Sequence, residues 1–209
     1  LAIDGSIPQV VAFDLDLANM FCNVEWPEIR GAISKHFVEA QGWTEWCHSS
    51  PETVVLPCGS EHAVDRGAGQ GDVYGSTGCA LSMGERMLEH RARCGGSAVD
   101  EWFIDDGQGF VKLDHAEAWL RSVDRAIYEL GGHRAIGEEC KSHARLLCTQ
   151  QFANDNPDWA CEYIRNSCVI GGGEDAPKVL GVHLGGMSVC NEYMEKVCDK
   201  VGAVREKLQ

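Results

Sequence analysis

The sequence has few basic residues, no closely spaced cysteine pair and no long apolar run. Lysine and arginine together number 18 against 32 aspartates and glutamates, which gives a formal net charge of -14. Proteins that hold nucleic acid draw much of their affinity from Lys and Arg side chains that neutralise phosphates, so this charge argues against a complete duplex-binding protein. No stretch approaches the roughly 20 apolar residues that a membrane-spanning helix requires, and we therefore expect no membrane contact.

The eleven cysteines do not form the short C-x-x-C spacing that a structural zinc site requires. Their odd number, and a sequence without an apolar leader and cleavage site, favour reduced and mostly buried thiols over the disulfide framework of a secreted protein. We therefore expect a soluble protein inside the cell, and the sequence does not distinguish nucleus from cytoplasm.

Length and periodicity indicate one α+β domain. A chain of 209 residues with 44% hydrophobic residues can bury a full core. The apolar periodicity predicts helices over residues 27–40, 76–93 and 114–130, a hairpin within 43–65, and strands over 144–148 and 162–170. The third of these helices is expected to begin with a capping box formed by Asp114 and Glu117 and to bury Trp119.

The segment EWFIDDGQGFVK, residues 101–112, places two adjacent aspartates at the expected tip of a β-hairpin. Asp105 and Asp106 follow an apolar strand and precede Gly107, which is expected to take the positive φ of a tight turn. Adjacent carboxylates repel each other, and a divalent cation or a strong set of donors would neutralise them. The alternative is a solvated Asp-Asp-Gly turn, which is common in hairpins.

Two further segments carry candidate functional residues in a matching order. The segment VVAFDLDLANMFCNVEW, residues 10–26, runs from an apolar strand into Asp14 and Asp16 and then to Phe21. The glycine-rich segment RGAGQGDVYGSTG, residues 66–78, contains Gln70-Gly71-Asp72 and precedes a helical pattern. Asp14 and Asp16 lie on the same face of a strand, so periodicity alone does not choose between them as the first ligand.

The order of a strand with an aspartate, a Gln-Gly-Asp loop leading into a helix, and a Phe-Ile-Asp-Asp hairpin resembles the palm of reverse transcriptases, most closely those of non-LTR retrotransposons. The resemblance implies that Asp16 is the first catalytic aspartate and that Phe21 is the aromatic residue that excludes a 2′-hydroxyl. Gln70 and Gly71 would shape the nucleotide pocket, and Asp105 and Asp106 would be the aspartates of the hairpin motif.

Two later segments extend the resemblance. The segment GGHRAIGEECKS, residues 131–142, is similar to the family's glycine-led loop, which gives Lys141 the role of its terminal lysine. The segment VLGVHLGG, residues 179–186, is similar to the Leu-Gly element that precedes the thumb. The implied organisation is a palm with partial fingers over residues 1–187 and the start of a thumb helix over 188–209. The implied fold is α+β, with a ferredoxin-like antiparallel sheet and helices packed on one face.

The resemblance implies an RNA-directed DNA polymerase, a fragment of a retroelement polyprotein. Its partners would be an RNA template, a DNA primer and deoxynucleoside triphosphates. Asp16, Asp105 and Asp106 would hold two magnesium ions, or manganese, since hard oxygen donors suit both metals and two metal ions can stabilise the attacking and leaving oxygens. Lys141 would protonate the leaving pyrophosphate.

Two other functions remain open on the sequence. A catalytically silent polymerase-like domain, acting as a binding or structural module, fits the net charge of -14. A nucleotidyl cyclase with a palm fold would use similar aspartates, although the Gln-Gly-Asp loop and the Leu-Gly element argue against it. Because the resemblance leaves the basic fingers without a counterpart, we expect the isolated chain to extend a primer weakly or not at all.

Overall fold

The structure is a computed structural model that describes residues 9–68, 73–103, 105–136, 140–148 and 150–171, together with the backbone of two short strands at 178–179 and 182–183. A five-stranded sheet forms its centre, in the order β4-β5-β1-β6-β7. Neighbouring strands are antiparallel except for β6 and β7, which are parallel. The strands of this sheet are β1 (Val10–Asp16), β4 (Ala98–Phe103), β5 (Asp106–Lys112), β6 (His143–Leu147) and β7 (Val169–Ile170).

Two small antiparallel pairs lie outside this sheet. They are β2 (Glu52–Val55) with β3 (Glu61–Val64), and β8 (Lys178–Val179) with β9 (Val182–His183). Single 3-10 turns occupy Val38–Ala40 and Leu113–His115. The helices are α1 (Met20–Asn23), α2 (Trp26–His36), α3 (Gln41–Cys47), α4 (Gly75–Cys94), α5 (Ala116–Glu129), α6 (Gln150–Asp155) and α7 (Glu162–Ser167).

One face of the sheet carries the core, where α4 and α5 contact β4 and β5 and α2 packs against α4. Alternate residues of β1, namely Val11, Phe13 and Leu15, are buried because successive side chains of a strand point to opposite faces. The Phe13 ring stacks on Trp119 of α5 with centroids 5.0 Å apart. Trp119 is 1% exposed, which confirms its expected place in the core. The mostly antiparallel sheet with helices on this face confirms the α+β prediction.

The periodicity of the sequence predicts the β2–β3 hairpin correctly and the buried face of helix α4 only in part. The hairpin within 43–65 is confirmed by β2 and β3. The helical pattern over 76–93 places Ala80, Gly84, Met87 and Leu88 in one register, and of these Met87 is buried while the other three are exposed. The buried positions of α4 are Gly75, Gly78, Cys79, Ser82, Met83, Met87 and His90. Two of them are polar, and polar residues on an inward face conceal it from a hydrophobic pattern.

Three further expectations are wrong. Residues 162–170 form helix α7 and the two-residue strand β7 instead of one strand. The expected capping box is absent from α5, whose N-cap is His115 without a side-chain hydrogen bond, while Glu117 accepts a bond from Arg121. Of the nine cysteines that the structure describes, only Cys79 and Cys168 are buried, so the expectation of mostly buried thiols is wrong.

Candidate active site

The β4–β5 hairpin places Asp105 at its tip and Asp106 at the start of β5. Phe103 and Asp106 are paired across the two strands, so the turn lies between them. Gly107 is a strand residue opposite Trp102, and its φ is not in the left-handed region, so its expected role in the turn is wrong. A Cβ at Gly107 would lie 2.2 Å from Cζ3 of Trp102, which shows that this position needs glycine for space.

The end of β1 brings Asp16 beside this hairpin. Asp16 is paired with Asp106 in the β1–β5 register, and the backbone N–H of Leu17 donates to the carbonyl of Asp105 at 3.2 Å. Directly opposed residues of an antiparallel pair share one face, so Asp16 and Asp106 are cross-strand neighbours. Asp14 lies two residues back on that face, opposite Gln108 of β5.

The electrostatics of this face reflect clustered carboxylates. Partial burial raises the pKa of Asp106, and the charges of Asp105, Asp16 and Asp14 raise it further. Burial also raises the pKa of Asp14, although His143 on the neighbouring strand opposes the shift. The neighbouring carboxylates disfavour ionisation of Asp106, so a cation bound here would relieve the repulsion.

A cleft of about 730 Å³ opens at this end of the sheet. Four of the residues predicted from sequence line it, namely Asp16, Phe21, Asp105 and Lys141. They come from the end of β1, helix α1, the β4–β5 turn and the segment before β6, so the fold gathers residues that are 125 positions apart in the chain (141 minus 16). Phe21 is half-buried and packs against the core, whereas Lys141 is exposed.

Backbone hydrogen bonds hold the wall that carries Lys141 against the end of β1. The N–H of Asp16 donates to the Ser142 hydroxyl at 3.2 Å, and the N–H of Ala18 donates to the carbonyl of His133 at 3.0 Å. Leu17 also forms an isolated β-bridge with Arg134. The bond at Ser142, next in the chain to Lys141, therefore places position 141 near Asp16.

Arg134 anchors this wall and was missed by sequence reasoning. Its side chain is 2% exposed and forms a two-point ion pair with Asp124 of α5, at 2.6 Å and 2.8 Å. It also donates to the carbonyl of Ser167 in α7 at 2.9 Å. The Tyr163 hydroxyl donates to the same Asp124 carboxylate at 2.5 Å, and burial together with that carboxylate raises the pKa of Tyr163 to about 12. No local sequence signal predicts a network that joins three separated segments.

Asn19 is a second residue that sequence reasoning missed. It lines the cleft with φ 48 and ψ 42, a left-handed conformation that asparagine tolerates better than most residues. This turn directs the chain from β1 into α1 and so places Phe21 at the cleft. The only available signal was an asparagine three residues after the end of an apolar strand.

Some predicted elements of the site cannot be placed. Gln70, Gly71 and Ile104 lie outside the described residues, as do residues 188–209 and most of the Leu-Gly element. Among the residues that the structure describes, no group of three or more His, Cys, Asp or Glu side chains is arranged to hold a metal ion. The metal-binding roles of Asp16, Asp105 and Asp106 stay predictions.

Comparison with solved structures identifies the fold. Telomerases from Candida tropicalis and Candida albicans, each in complex with a TWJ fragment of telomeric RNA, match 70% of this chain with a TM-score of 0.50 at 12% and 11% identity. Telomerase is a reverse transcriptase, so the chain has a reverse-transcriptase-like fold. The match covers 27% and 28% of those two chains.

Neither a protein-family model nor a curated protein sequence matches the chain. Within the described ranges, no helix combines the length and the apolar character needed to cross a bilayer.

Proposed function

We propose that this chain is the palm of an RNA-directed DNA polymerase of the non-LTR retrotransposon type. The observation that carries the proposal is the cleft at the end of β1, where Asp16, Phe21, Asp105 and Lys141 meet. They come from three separate sequence segments, 10–26, 101–112 and 131–142. Their meeting in one cleft of a reverse-transcriptase-like fold is what the assignment requires.

The donor chemistry of the cleft fits magnesium. Asp16 and Asp105 offer hard carboxylate oxygens, and the raised pKa of Asp106 marks repulsion that a cation would relieve. Asp16 and Asp105 would hold two ions, with Asp106 as the weaker ligand. When bound, such ions stabilise the attacking and leaving oxygens of nucleotidyl transfer.

The remaining residues would position the substrate and move one proton. Phe21 would lie against the sugar and exclude a 2′-hydroxyl, which favours deoxynucleotides. Lys141 Nζ would donate a proton to the leaving pyrophosphate, and the bond from Asp16 to the adjacent Ser142 would hold this residue near Asp16. Gln70 and Gly71 would contact the nucleotide through their backbone.

The proposed partners are an RNA template, a DNA primer and deoxynucleoside triphosphates. The RNA-bound state of the two telomerase structures supports an RNA partner. The chain itself supplies little positive charge, at a formal net -14, so most phosphate contacts would come from parts of a longer polymerase.

A second candidate is a catalytically silent polymerase-like domain that serves as a binding module. Two observations favour it, the net charge of -14 and the lack, among described residues, of a three-ligand cluster suited to a metal. It would keep the fold and the cleft and lose only the chemistry.

Primer extension distinguishes the two candidates. The assay would use a protein that includes this chain and whatever its gene encodes on either side, with an RNA template, a DNA primer and magnesium. We expect extension that Asp105→Asn reduces at least about a hundredfold, because one charge at the site is lost. Glu101→Gln is the matched control, since Glu101 is on the same hairpin with its side chain 88% exposed. No extension above the Asp105→Asn level by a folded protein would establish the silent domain.

A further inference from the structure

The hairpin of β2 and β3 leaves its apolar side chains in solvent. All four residues of β2 and the first three of β3 are exposed. Val54 is 44% exposed, Val55 62% and Leu56 42%. A two-stranded hairpin alone is only marginally stable in water, and it is usually completed by a third strand or a packed surface. We call this hairpin, together with Trp43 and Trp46 of α3, the hairpin surface.

The base of the hairpin is fixed to the body of the domain. The Trp26 indole N–H donates to the carbonyl of Gly67 at 2.8 Å, and the N–H of Gly67 donates to the carbonyl of Val24 at 2.7 Å. Gly67 has φ +78, and a Cβ there would lie 2.6 Å from the carbonyl oxygen of Cys22. Arg66 forms a β-bridge with Glu25. Hydrogen bonds therefore hold the base of the exposed hairpin against the rest of the domain.

A cavity of about 550 Å³ lies at this base. Its apolar lining includes Trp26, Trp43, Val64 and Val73, and the space is sufficient for a large side chain from outside. The rings of Trp43 and Trp46 are 5.2 Å apart, and these residues are 48% and 69% exposed. Paired exposed tryptophans beside a cavity are typical of protein interfaces, where aromatic residues carry much of the binding energy.

The charge around the hairpin surface is negative, and it therefore favours a positively charged partner. Residues 38–66 contain a single Arg or Lys, Arg66, and five acidic residues. The acidic residues are Glu39, Glu45, Glu52, Glu61 and Asp65. This charge repels a nucleic-acid backbone and also repels a second copy of the same surface. It attracts Lys and Arg, whose cations also stack favourably on tryptophan rings.

We propose that the hairpin surface binds an extended, basic segment of another protein. The segment adds a third strand to an edge of this sheet, which has two strands in the described part of the chain, as in other cases of strand addition. One Lys or Arg side chain of the segment meets Glu52, which lines the cavity, and one apolar side chain enters the cavity beside Trp43. Glu61, on the other face of the hairpin, adds to the negative charge that attracts the segment. This interaction is independent of the proposed polymerase chemistry, because none of these three residues lines the Asp16 cleft.

Titration of the full chain with synthetic peptides tests the proposal. The probes are a peptide of alternating Lys and Val with one central Leu, a matched peptide with Glu in place of Lys, and an oligothymidylate strand. The readouts are calorimetry and tryptophan fluorescence, with circular dichroism to verify folding. We expect the Lys peptide to bind and to change the fluorescence, and the other two probes to bind at least about tenfold more weakly.

Two variants locate the binding. Glu52→Lys with Glu61→Lys should weaken binding of the Lys peptide at least about fivefold, and Trp43→Ala should weaken it by a similar factor. The matched control is Glu101→Lys with Asp114→Lys, which makes the same charge change at side chains that are 88% and 76% exposed elsewhere. This control should retain most of the affinity.

Three results would overturn the proposal. Equal weakening by the hairpin and control variants would show attraction to overall negative charge. Tighter binding of oligothymidylate than of the Lys peptide would make this a nucleic-acid surface. Concentration-dependent sedimentation that Trp43→Ala abolishes would assign the surface to a second copy of the chain.

Discussion

The carboxyl group of Asp106 gives the site a measurable pH response. Its pKa is raised above the ordinary value of 3.8 by burial and by three neighbouring aspartates. The folded state then binds this proton more tightly than the unfolded state, so the contribution to stability is present at low pH and is lost as pH rises from about 3.8 through the folded pKa.

Asp106→Asn should therefore reduce the fall in the free energy of unfolding between acidic and neutral pH, and should stabilise the protein at pH 7 in the absence of divalent cations. Urea denaturation over this range measures the effect. Asp114→Asn also removes one carboxylate but lies outside the cluster, and it reports the contribution of net charge alone. Identical pH profiles for the two variants would contradict a carboxylate cluster at Asp106.

Space is the property that matters at Gly107. A Cβ there would lie 2.2 Å from the Trp102 ring, so Gly107→Ala forces that ring to move and should cost about 1 to 3 kcal/mol in the free energy of unfolding. Gly84→Ala is the matched control, because Gly84 lies in α4 with nothing within 4 Å of an added Cβ. The control should gain about 0.5 to 1 kcal/mol from the better helix former. Two variants of equal stability would show that Trp102 does not confine Gly107.

Single residues also show how far the sequence could predict the site. Asp16, Phe21, Asp105 and Lys141 were found because each belongs to a motif with a recognisable neighbourhood. Arg134 was not found, because its partners are 10 and 33 residues away and are chosen by packing. Gly107 was assigned to a turn because an Asp-Asp-Gly sequence favours one locally, and cross-strand packing against Trp102 decided otherwise.

Contacts among α5, α7 and the end of β1 pass through the buried Arg134. Arg134→Met leaves the Asp124 carboxylate, which is 26% exposed, without its two-point partner and should lower the free energy of unfolding by about 3 kcal/mol. Arg125→Met is the control, since Arg125 forms an exposed ion pair with Glu129 on the same helix at 2.8 Å. Its loss should stay near 0.5 kcal/mol. Similar small losses in both variants, measured by urea denaturation, would exclude Arg134 as the anchor.

Helices and strands were predictable where one face is uniformly apolar. Helix α5 shows this, with Trp119, Leu120, Val123 and Ile127 all buried as its periodicity indicates. Three of the four positions expected in register on α4 are exposed, because its buried face includes His90 and Ser82, which form hydrogen bonds to Ser122 and to the Gly78 carbonyl. Helix α7 is six residues long, and a run this short does not separate helical from strand periodicity.

The negative charge of the whole molecule, a formal -14, attracts cations even where no specific binding site exists. Magnesium would screen this charge wherever it accumulates, and sodium would do so as well. A specific site differs because its stabilisation saturates and depends on a few carboxylates. The pKa values of the proposed ligand Asp106 and of the nearby Asp14 are raised, so protons compete with the cation there.

We therefore predict that magnesium stabilises the folded chain beyond sodium chloride of equal ionic strength. A preformed site would add about 2.7 kcal/mol to the free energy of unfolding at a concentration 100 times the dissociation constant. The gain should shrink as pH falls, because protonated carboxylates no longer attract the ion. Asp16→Asn with Asp105→Asn should abolish it, and Glu101→Gln with Asp114→Asn, which removes the same charge elsewhere, should retain it. Thermal and urea denaturation at several pH values provide the measurement. Equal stabilisation of both double variants by magnesium would show screening of the net charge and no metal site at the end of β1.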